Sequence, residues 1–249
     1  MSRLSKEVFA CLDCETTGLE PENDRIIEIA VVLFTFDSII QSFESLVNPG
    51  RPISEPSIAI HHITDDMVAD KPKINEVLPQ VLKMVNNVII VGHGISLDLK
   101  FVTEEAKRHN VPCKLISNPS IDTLRLARLY GESPTNSLEK LREHFNIEAE
   151  GAHRAMNDVL VNIEVFKFLS TKFASSDQII ARLKKPILLK AMPLGKHKGR
   201  PFHEIPIEYL FWASHQNFDQ DLLFSIHSEL KKRKKGNIFE QSGNPFSNL

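Results

Sequence analysis

Two acids and two cysteines are interleaved in one short segment near the start of the chain, FACLDCETTG. Cys11 and Cys14 have the C-x-x-C spacing of redox pairs and zinc sites. Asp13 and Glu15 have the D-x-E spacing of two carboxylates on one face of a strand. Side chains alternate along a strand, so the cysteines should point to opposite faces, and the chain has no second cysteine pair to complete a zinc site. We therefore interpret the cysteines as packing residues and the acids as the candidates for chemistry.

The acid pair permits two interpretations. If Asp13 and Glu15 lie at the end of a buried strand, their like charges are costly unless protons or cations neutralise them. If the strand ends at Asp13, both carboxylates are solvated beside a turn at residues 16–18 and need no chemical role. This segment alone favours neither interpretation.

Two later segments each contribute one more acid. In VGHGISLDLKF, Asp98 falls in the first turn of a predicted helix that follows a buried strand. In GAHRAMNDVLVNIEVF, Asp158 borders the apolar stripe of the longest predicted helix, and His153 lies five residues earlier. An acid in a first helical turn is also expected from the helix dipole, and a single surface Asp or His is common. Each of these residues, taken singly, is therefore compatible with a structural role.

Together the four carboxylates form a more specific pattern. Hard oxygen ligands can bind two divalent cations, and such a pair stabilises the attacking and leaving oxygens of an in-line phosphoryl displacement. A histidine with an ordinary pKa of about 6.5 can accept the proton of the attacking water at neutral pH. The combination favours metal-dependent phosphoryl chemistry.

Composition limits the class of protein. The chain has 249 residues, of which 42% are apolar and 25% charged, as in an ordinary globular protein. The longest apolar run, IIEIAVVLF, is too short to span a membrane, and the first residues do not form a secretion signal. The apolar pattern therefore predicts no membrane association, and three cysteines in a chain of this length, too few for a disulfide framework, predict a reducing, cytoplasmic location. The formal net charge of −2 argues against binding nucleic acid through bulk positive charge, so metal ions or a local basic patch would have to hold a phosphate-bearing partner.

The elements that must position the acids follow a simple order. Three strand-like segments come first: EVFACLDCET, RIIEIAVVLFTFD and IIQSFESLVNP. NEVLPQVLKMVNN and SLDLKFVTEEAKRHN then have helical spacing on either side of a buried strand, NVIIVGHG, and further helical segments follow. This order predicts a mixed α/β sheet with helices packed against it.

With these motifs in this order, the sequence resembles the DEDDh family of 3′–5′ exonucleases, the group that contains the proofreading epsilon subunit of bacterial DNA polymerase III, exonuclease X and RNase T. LDCETTGLEP, GHGISLDLKF and AHRAMND match the three family motifs. The resemblance implies the α/β, ribonuclease-H-like exonuclease fold, in which helices flank a central five-stranded mixed sheet. It also implies two divalent cations, Mg²⁺ or Mn²⁺, with Asp13 bridging them. The implied metal ligands are Asp13, Glu15, Asp98 and Asp158.

The resemblance also implies roles for further residues. His153 would be the catalytic general base beside the four carboxylates. The implied substrate-binding residues are Thr16, Thr17, Gly18, Leu19, His93 and Gly94. The second motif departs from its usual form, H-N-x-x-F-D, because Gly94 replaces an amide side chain and Leu97 replaces an aromatic one. Neither position is a metal ligand, so we expect activity to persist with a changed rate or substrate preference.

The chain divides into four predicted segments. Residues 1–175 form the exonuclease domain, 176–189 a polar and basic linker, 190–235 a small C-terminal module and 236–249 a disordered tail. The module is similar to the one that follows the nuclease domain in exonuclease X-like proteins.

The module contains cations and aromatic residues suited to nucleic acid. The predicted nucleic-acid contacts are Lys196, Lys198 and Arg200. Tyr209, Phe211 and Trp212 could stack on bases. The alternative, which we favour for Trp212, is that these rings form the core of the module.

These observations predict a metal-dependent exonuclease that releases nucleoside monophosphates from single-stranded or frayed DNA 3′ ends, in proofreading or in repair and end trimming. The resemblance leaves open RNA as a substrate, the catalytic subunit of DNA polymerase III as a partner, and a homodimer. One alternative is a non-catalytic nucleic-acid-binding or polymerase-tethering protein with the same fold. A second is an RNA-trimming exonuclease similar to RNase T.

Overall fold

The computed structural model describes residues 3–130, 135–148 and 154–242, with side chains described from Leu4 to Lys234 within those ranges. The chain divides into two compact units, Met1–Leu183 and Lys184–Leu249.

The first unit is built on a five-stranded sheet. Its strands are β1 (Phe9–Thr16), β2 (Ile26–Phe34), β3 (Ile39–Leu46), β4 (Ile89–Gly92) and β5 (Ser120–Asp122). They lie in the order β3-β2-β1-β4-β5. The β1–β2 and β2–β3 pairs are antiparallel, whereas β1–β4 and β4–β5 are parallel. The prediction of a five-stranded mixed sheet is therefore confirmed.

Eight α-helices belong to the described part of this unit. They are α1 (Glu55–His61), α2 (Asp65–Val68), α3 (Ile74–Met84), α4 (Ser96–Arg108), α5 (Thr123–Tyr130), α6 (Leu138–His144), α7 (Ala155–Ser170) and α8 (Ser176–Leu183). Two short 3₁₀ turns, Arg3–Lys6 and Leu115–Ser117, accompany them. Helix α8 falls in the segment predicted as a linker, where Ile179 and Leu183 are buried.

Strand β1 has two chemically different faces. Ala10 and Leu12 are buried in the core that β2, α3 and α4 share, and Cys14 packs against the same core. On the opposite face the Cys11 thiol lies 3.6 Å from the carbonyl oxygen of Val159 in α7. The two cysteines therefore diverge, as the strand period predicts, and both are free thiols.

Aromatic packing holds α7 on the second face of the sheet. The rings of Phe9 on β1 and Phe34 on β2 lie 5.1 and 6.1 Å from the ring of Phe166 in α7. Both contacts are edge-to-face, which is the favoured geometry for buried aromatic pairs. One turn earlier in the same helix, the buried Asn162 side chain accepts a hydrogen bond from the hydroxyl of Thr123 at 2.6 Å. These contacts set α7 across β1, so that its first turn lies beside the end of that strand.

The second unit has its own small core. Its helices are α9 (Ile207–Ala213) and α10 (Gln220–Ser242), preceded by 3₁₀ turns at Gly195–His197 and Phe202–Glu204. Its buried apolar side chains are Met192, Phe202, Ile205, Leu210, Ala213, Leu222 and Ile226. The expectation that Trp212 belongs to this core is wrong: its side chain is 53% exposed, because Leu210 and Ala213 occupy the buried side of α9.

The predicted tail begins within the stretch assigned to α10, and residues 243–249 lie outside the described residues. Across the described ranges, none of the helices combines the length and the apolar character needed to cross a membrane.

Candidate active site

Three of the predicted metal ligands converge at the end of β1. Asp13 and Glu15 leave the same face of the strand, and Asp158 lies in the first turn of α7. One carboxylate oxygen from each lies within 4.8 Å of the others. The strand period places the first two acids together, and the packing of α7 brings the third to them.

Asp98 approaches the same strand from α4. The backbone amide of Cys14, the residue between Asp13 and Glu15, donates a hydrogen bond to Asp98 Oδ1 at 3.1 Å. This contact fixes the start of α4 against β1, because an acid in the first helical turn is held both by the dipole and by a strand amide. The charge of Asp98 raises the pKa of Asp13, so the two carboxylates interact.

The acids of this site hold protons more tightly than usual. Burial is the largest cause of the raised pKa of Asp13, and the charges of neighbouring acids add to it. Burial, followed by the charges of Asp158 and Glu28, raises the pKa of Glu15 to about 8. Burial also raises the pKa of Asp98 to about 7, despite the hydrogen bond from Cys14. At neutral pH the cluster is therefore stable only when protons or cations compensate its charge.

The donor set fits divalent metal ions. Clustered carboxylate oxygens are the ligands that Mg²⁺ and Mn²⁺ prefer, and a divalent ion lowers the cost of ionising each acid. Within the described residues, no Lys or Arg forms an ion pair with Asp13, Glu15 or Asp98. The compensating charge therefore has to come from outside the described protein groups.

Glu28 is a site residue that the sequence analysis missed. It is fully buried on β2, directly opposite Glu15 in the β1–β2 register. Its carboxylate accepts hydrogen bonds from the Arg154 guanidinium at 2.6 to 3.1 Å and from the amide of Ala155 at 2.9 Å. This bidentate pair anchors the residue before α7 and so helps to place Asp158. The sequence feature that could have indicated this role is that Glu28 is the one charged residue in the apolar run IIEIAVVLF.

His153 lies outside the described residues, so its predicted role as a general base stays a prediction. Its neighbour Arg154 occupies the N-cap position of α7 and is held by Glu28.

The last residue of β1 and the loop that follows it contain four predicted substrate-binding residues. The buried Thr17 hydroxyl donates to Asp24 Oδ1 at 3.0 Å, and the same carboxylate accepts the amide of Glu20. A Cβ on Gly18 would lie 2.3 Å from Asp24, so only glycine permits this close approach. The Thr16 hydroxyl donates to the carbonyl of Gly18 at 2.6 Å, whereas Leu19 is 78% exposed. Hydrogen bonds within the loop thus hold it in place, and its substrate contact stays a prediction.

The other two predicted substrate-binding residues, His93 and Gly94, form hydrogen bonds with other residues of the same chain. Nε2 of His93 donates to the carbonyl of Asn136 at 2.9 Å, and Nδ1 lies 3.1 Å from the Thr123 hydroxyl, which donates its proton to Asn162. Burial lowers the pKa of His93 to about 4, so the ring is neutral at pH 7. Gly94 adopts a φ of 74° and donates its amide to Asp122 at 3.0 Å. These contacts give the segment a structural role, and its substrate contact stays a prediction.

The predicted nucleic-acid contacts belong to the second unit. Lys196, Lys198 and Arg200 are all exposed there.

The comparison with protein-family models identifies the family to which the chain belongs. A family model described as Exonuclease, RNase_T, matches residues 10–166, which is well over half of the chain and includes all four acids. The chain belongs to this exonuclease family. Exonucleases of this type depend on divalent metal ions, as the carboxylate cluster also indicates. A second model, "Putative quorum-sensing-regulated virulence factor", matches residues 181–228.

Relatives of the exonuclease region include polymerase subunits. The DNA polymerase III subunit epsilon of Aquifex aeolicus is 36% identical over 159 residues, which are 64% of this chain and 78% of the relative. The DNA polymerase III PolC-type protein of Bacillus subtilis is 38% identical over 156 residues, which are 62% of this chain but 11% of the relative. The exonuclease region thus corresponds to a small part of the PolC-type proteins.

Solved structures show the same fold. Exonuclease X in complex with 5′ overhanging duplex DNA aligns with a TM-score of 0.56 and 28% identity, over 71% of this chain and 99% of that chain. Escherichia coli exonuclease I in complex with a dT13 oligonucleotide aligns with a TM-score of 0.61 and 21% identity, over 72% of this chain and 43% of that chain. At 21% identity the second likeness concerns the fold alone.

Proposed function

We propose that this exonuclease hydrolyses the terminal phosphodiester bond at DNA 3′ ends and releases nucleoside monophosphates. The single observation that carries the proposal is the convergence of Asp13, Glu15 and Asp158, within 4.8 Å, inside a family of exonucleases. Asp98 joins this site through its hydrogen bond to β1.

Two Mg²⁺ ions, or Mn²⁺ in their place, are the proposed cofactors, and Asp13, Glu15, Asp98 and Asp158 would hold them. When bound, such ions stabilise the charge on the attacking and leaving oxygens of the displacement. The protein's own contribution is to keep four acids in a fixed arrangement although burial raises the pKa of Asp13, Glu15 and Asp98, and neighbouring acids raise the pKa of the first two further. The Glu28–Arg154 pair and the Cys14 amide supply the rigidity that this arrangement needs.

His153 is the proposed general base, on the strength of the family motif. It would take the proton from the attacking water as the water oxygen bonds to phosphorus and the 3′-oxygen of the preceding nucleotide leaves. The loop at residues 16–19 would seat the terminal nucleotide, with the exposed Leu19 offering apolar contact to its base.

The proposed setting is proofreading or DNA repair. Relatives named as a polymerase epsilon subunit and as PolC-type polymerases support the first, and exonuclease X supports the second. Association with a polymerase catalytic subunit, homodimer formation and a cytoplasmic location remain predictions.

The test is digestion of matched single-stranded oligonucleotides of DNA and RNA, labelled so that released mononucleotides are counted. Wild-type protein should release mononucleotides from the DNA 3′ end with Mg²⁺ and stop when EDTA is added. His153→Ala should lower the rate about 10²- to 10⁴-fold, the usual contribution of a general base.

Each alternative has a distinct outcome. Binding of the oligonucleotide without cleavage would identify a non-catalytic binding protein. Faster digestion of the RNA strand would identify an RNA-trimming enzyme. Undiminished cleavage by an Asp158→Ala variant would exclude the proposed site.

A further inference from the structure

The two units of the chain carry opposite net charges. Residues 184–249 contain 11 Lys and Arg against 6 Asp and Glu, which gives +5 with histidine neutral. The whole chain has 30 basic and 32 acidic residues, so residues 1–183 have 19 against 26, or −7. The net charge of the whole chain is close to zero although its second unit is basic. A basic region of this kind attracts polyanions.

Helix α9 in the basic unit presents two adjacent rings to solvent. Leu210 and Ala213 pack into the unit's core, whereas Phe211 and Trp212 are 54% and 53% exposed. Because they are consecutive residues of a helix, the two rings point about 100° apart, and each offers its own exposed face to a ligand.

A basic loop lies against the same helix. The ring of His197 meets the ring of Tyr209 edge-on at 4.5 Å, and Tyr209 lies 5.3 Å from Trp212. The Lys196 ammonium is 5.4 Å from the centre of the Tyr209 ring. Gly195 has a φ of 71°, and a Cβ there would come within 2.9 Å of the Tyr209 hydroxyl, so glycine allows the loop to approach. The exposed rings and the cations therefore occupy neighbouring parts of one surface.

We propose that this α9 surface, made of Phe211, Trp212 and the loop at residues 196–200, binds single-stranded nucleic acid. Bases stack on the two rings, and Lys196, Lys198 and Arg200 contact the phosphates. The proposal adds a second binding site to the chain and does not depend on the nuclease activity.

The physical properties of the surface favour single strands over other occupants. In a duplex the faces of the bases are covered by their neighbours, so exposed rings have nothing to stack on, whereas every base of a single strand offers a free face. An acidic protein surface would engage the cations but leave both rings in water. Glu208 is the one acid of α9 and lies on the exposed side, but residues 184–217 contain six Lys and Arg against two Glu.

Trp212 is the only tryptophan of the chain, so its fluorescence reports directly on this surface. The experiment uses the 249-residue chain with the Asp13→Asn substitution in EDTA, titrated with a single-stranded oligothymidylate. Stacking on Trp212 should quench its emission. Fluorescence anisotropy of a labelled oligonucleotide should show that Trp212→Ala weakens binding roughly 5- to 150-fold, the range expected for loss of one stacked base.

The cations are tested through the salt dependence of binding. Replacing Lys196, Lys198 and Arg200 together by Ala should reduce the slope of log Kd against log salt by about 2, because each phosphate contact to a single strand contributes about 0.7. A matched control replaces three exposed lysines of the first unit, Lys71, Lys83 and Lys114, and should leave the slope unchanged. Phe168→Ala, which removes a 48% exposed ring from α7, is the matched control for Trp212→Ala.

Three results would overturn the proposal: oligonucleotide binding that leaves tryptophan emission unchanged, an unaltered Kd for Trp212→Ala, or tighter binding of a duplex of the same length. A protein that quenches and binds but never cleaves would keep this proposal and refute the nuclease function.

Discussion

The adjacent positions Glu15 on β1 and Glu28 on β2 hold the same kind of side chain in different electrostatic surroundings. Glu28 is fully buried and receives a bidentate guanidinium from Arg154. Glu15, its register partner, has a pKa raised to about 8 because burial and neighbouring acids outweigh the opposing charge of Arg154. The protein thus supplies a permanent cation to one buried carboxylate and withholds it from its neighbour.

A second paired carboxylate follows the same rule. Glu105 in α4 is fully buried and lies 2.8 Å from Arg108 and 3.6 Å from His109. Arg108 in turn donates to the carbonyls of Pro21 and Glu22 in the loop that follows the cluster. Glu28 and Glu105 thus have basic partners, whereas Asp13 and Glu15 at the end of β1 have none among the described residues. The comparison indicates that the charge of these two acids is left for a divalent cation to compensate, in keeping with the metal dependence of the family.

Removal of one cluster acid should have the largest effect. Asp13→Asn should reduce cleavage by at least about 10³-fold, because several kcal/mol of metal-dependent stabilisation are lost. In EDTA its free energy of unfolding should equal or exceed that of wild type, since a charge repelled by its neighbours is removed. Initial rates and urea unfolding measure the two effects. A variant that remains active, or that unfolds much more easily without metal, would contradict the comparison.

Breaking the Glu28–Arg154 ion pair should mainly lower the stability of the fold, in contrast to removal of a cluster acid. Arg154→Met should lower the free energy of unfolding by about 2–4 kcal/mol, because it leaves Glu28 charged, buried and without its cation. Glu28→Gln should cost less, about 1–2 kcal/mol, since the partly exposed Arg154 can turn to water. Urea unfolding of both variants and of the double variant tests this order. If Glu28→Gln proves the more damaging, the role assigned to Arg154 is wrong.

The pH dependence of stability should distinguish the two regions further. Glu15 titrates near 4.5 when unfolded and at about 8 when folded, so between these values the folded state binds more protons and stability falls as pH rises. Asp98, raised from 3.8 to about 7, acts in the same direction. In EDTA the Tm should therefore fall between about pH 5 and 8, by about 2–4 °C per kcal/mol lost.

Saturating Mg²⁺ should flatten that slope, and Glu15→Gln should reduce it even in EDTA. Thermal unfolding followed by circular dichroism at several pH values measures both. A Tm that rises with pH in EDTA would show that the cluster acids are already compensated.

The smallest effect concerns a carboxylate held by backbone amides. Asp122 accepts the amides of Gly94 and Leu124, and the φ of 74° at Gly94 is one that Asn tolerates. A Cβ at this position would meet only Leu124, at 3.9 Å. Gly94→Asn should therefore lower stability by no more than about 1 kcal/mol, since the positive φ strains Asn less than other residues, and alter kcat/KM by about 2- to 10-fold, the value of one added hydrogen bond. Steady-state kinetics and a thermal melt decide this, and a large loss of stability would show that Asp122 depends on glycine here.

Much of the site could be predicted because it depends on local periodicity. The two-residue period of β1 predicts that Asp13 and Glu15 share a face and that Cys11 and Cys14 do not. The partners of Glu28 could not be predicted in this way, because Arg154 is 126 residues away in sequence and pairs with it only after α7 packs on the sheet.

The second unit shows the same limit. Residue type predicts Trp212 in a core, yet Leu210 and Ala213 fill the buried side of α9. A seven-residue helix is too short for its apolar pattern to indicate which side is covered. The first part of the predicted linker likewise forms helix α8 in the structure. Ile179 and Leu183 are buried there, and the local sequence does not indicate what covers them.

By itself, the sequence determined the chemical identity of the four acids, their order along the chain and the strand face that two of them share. Only the tertiary structure decided which buried carboxylates receive an arginine and which receive none. The physical reason is that charge compensation acts through space over a few ångströms. Whether a cation lies within that distance depends on how distant segments pack, and not on the spacing of residues along the chain.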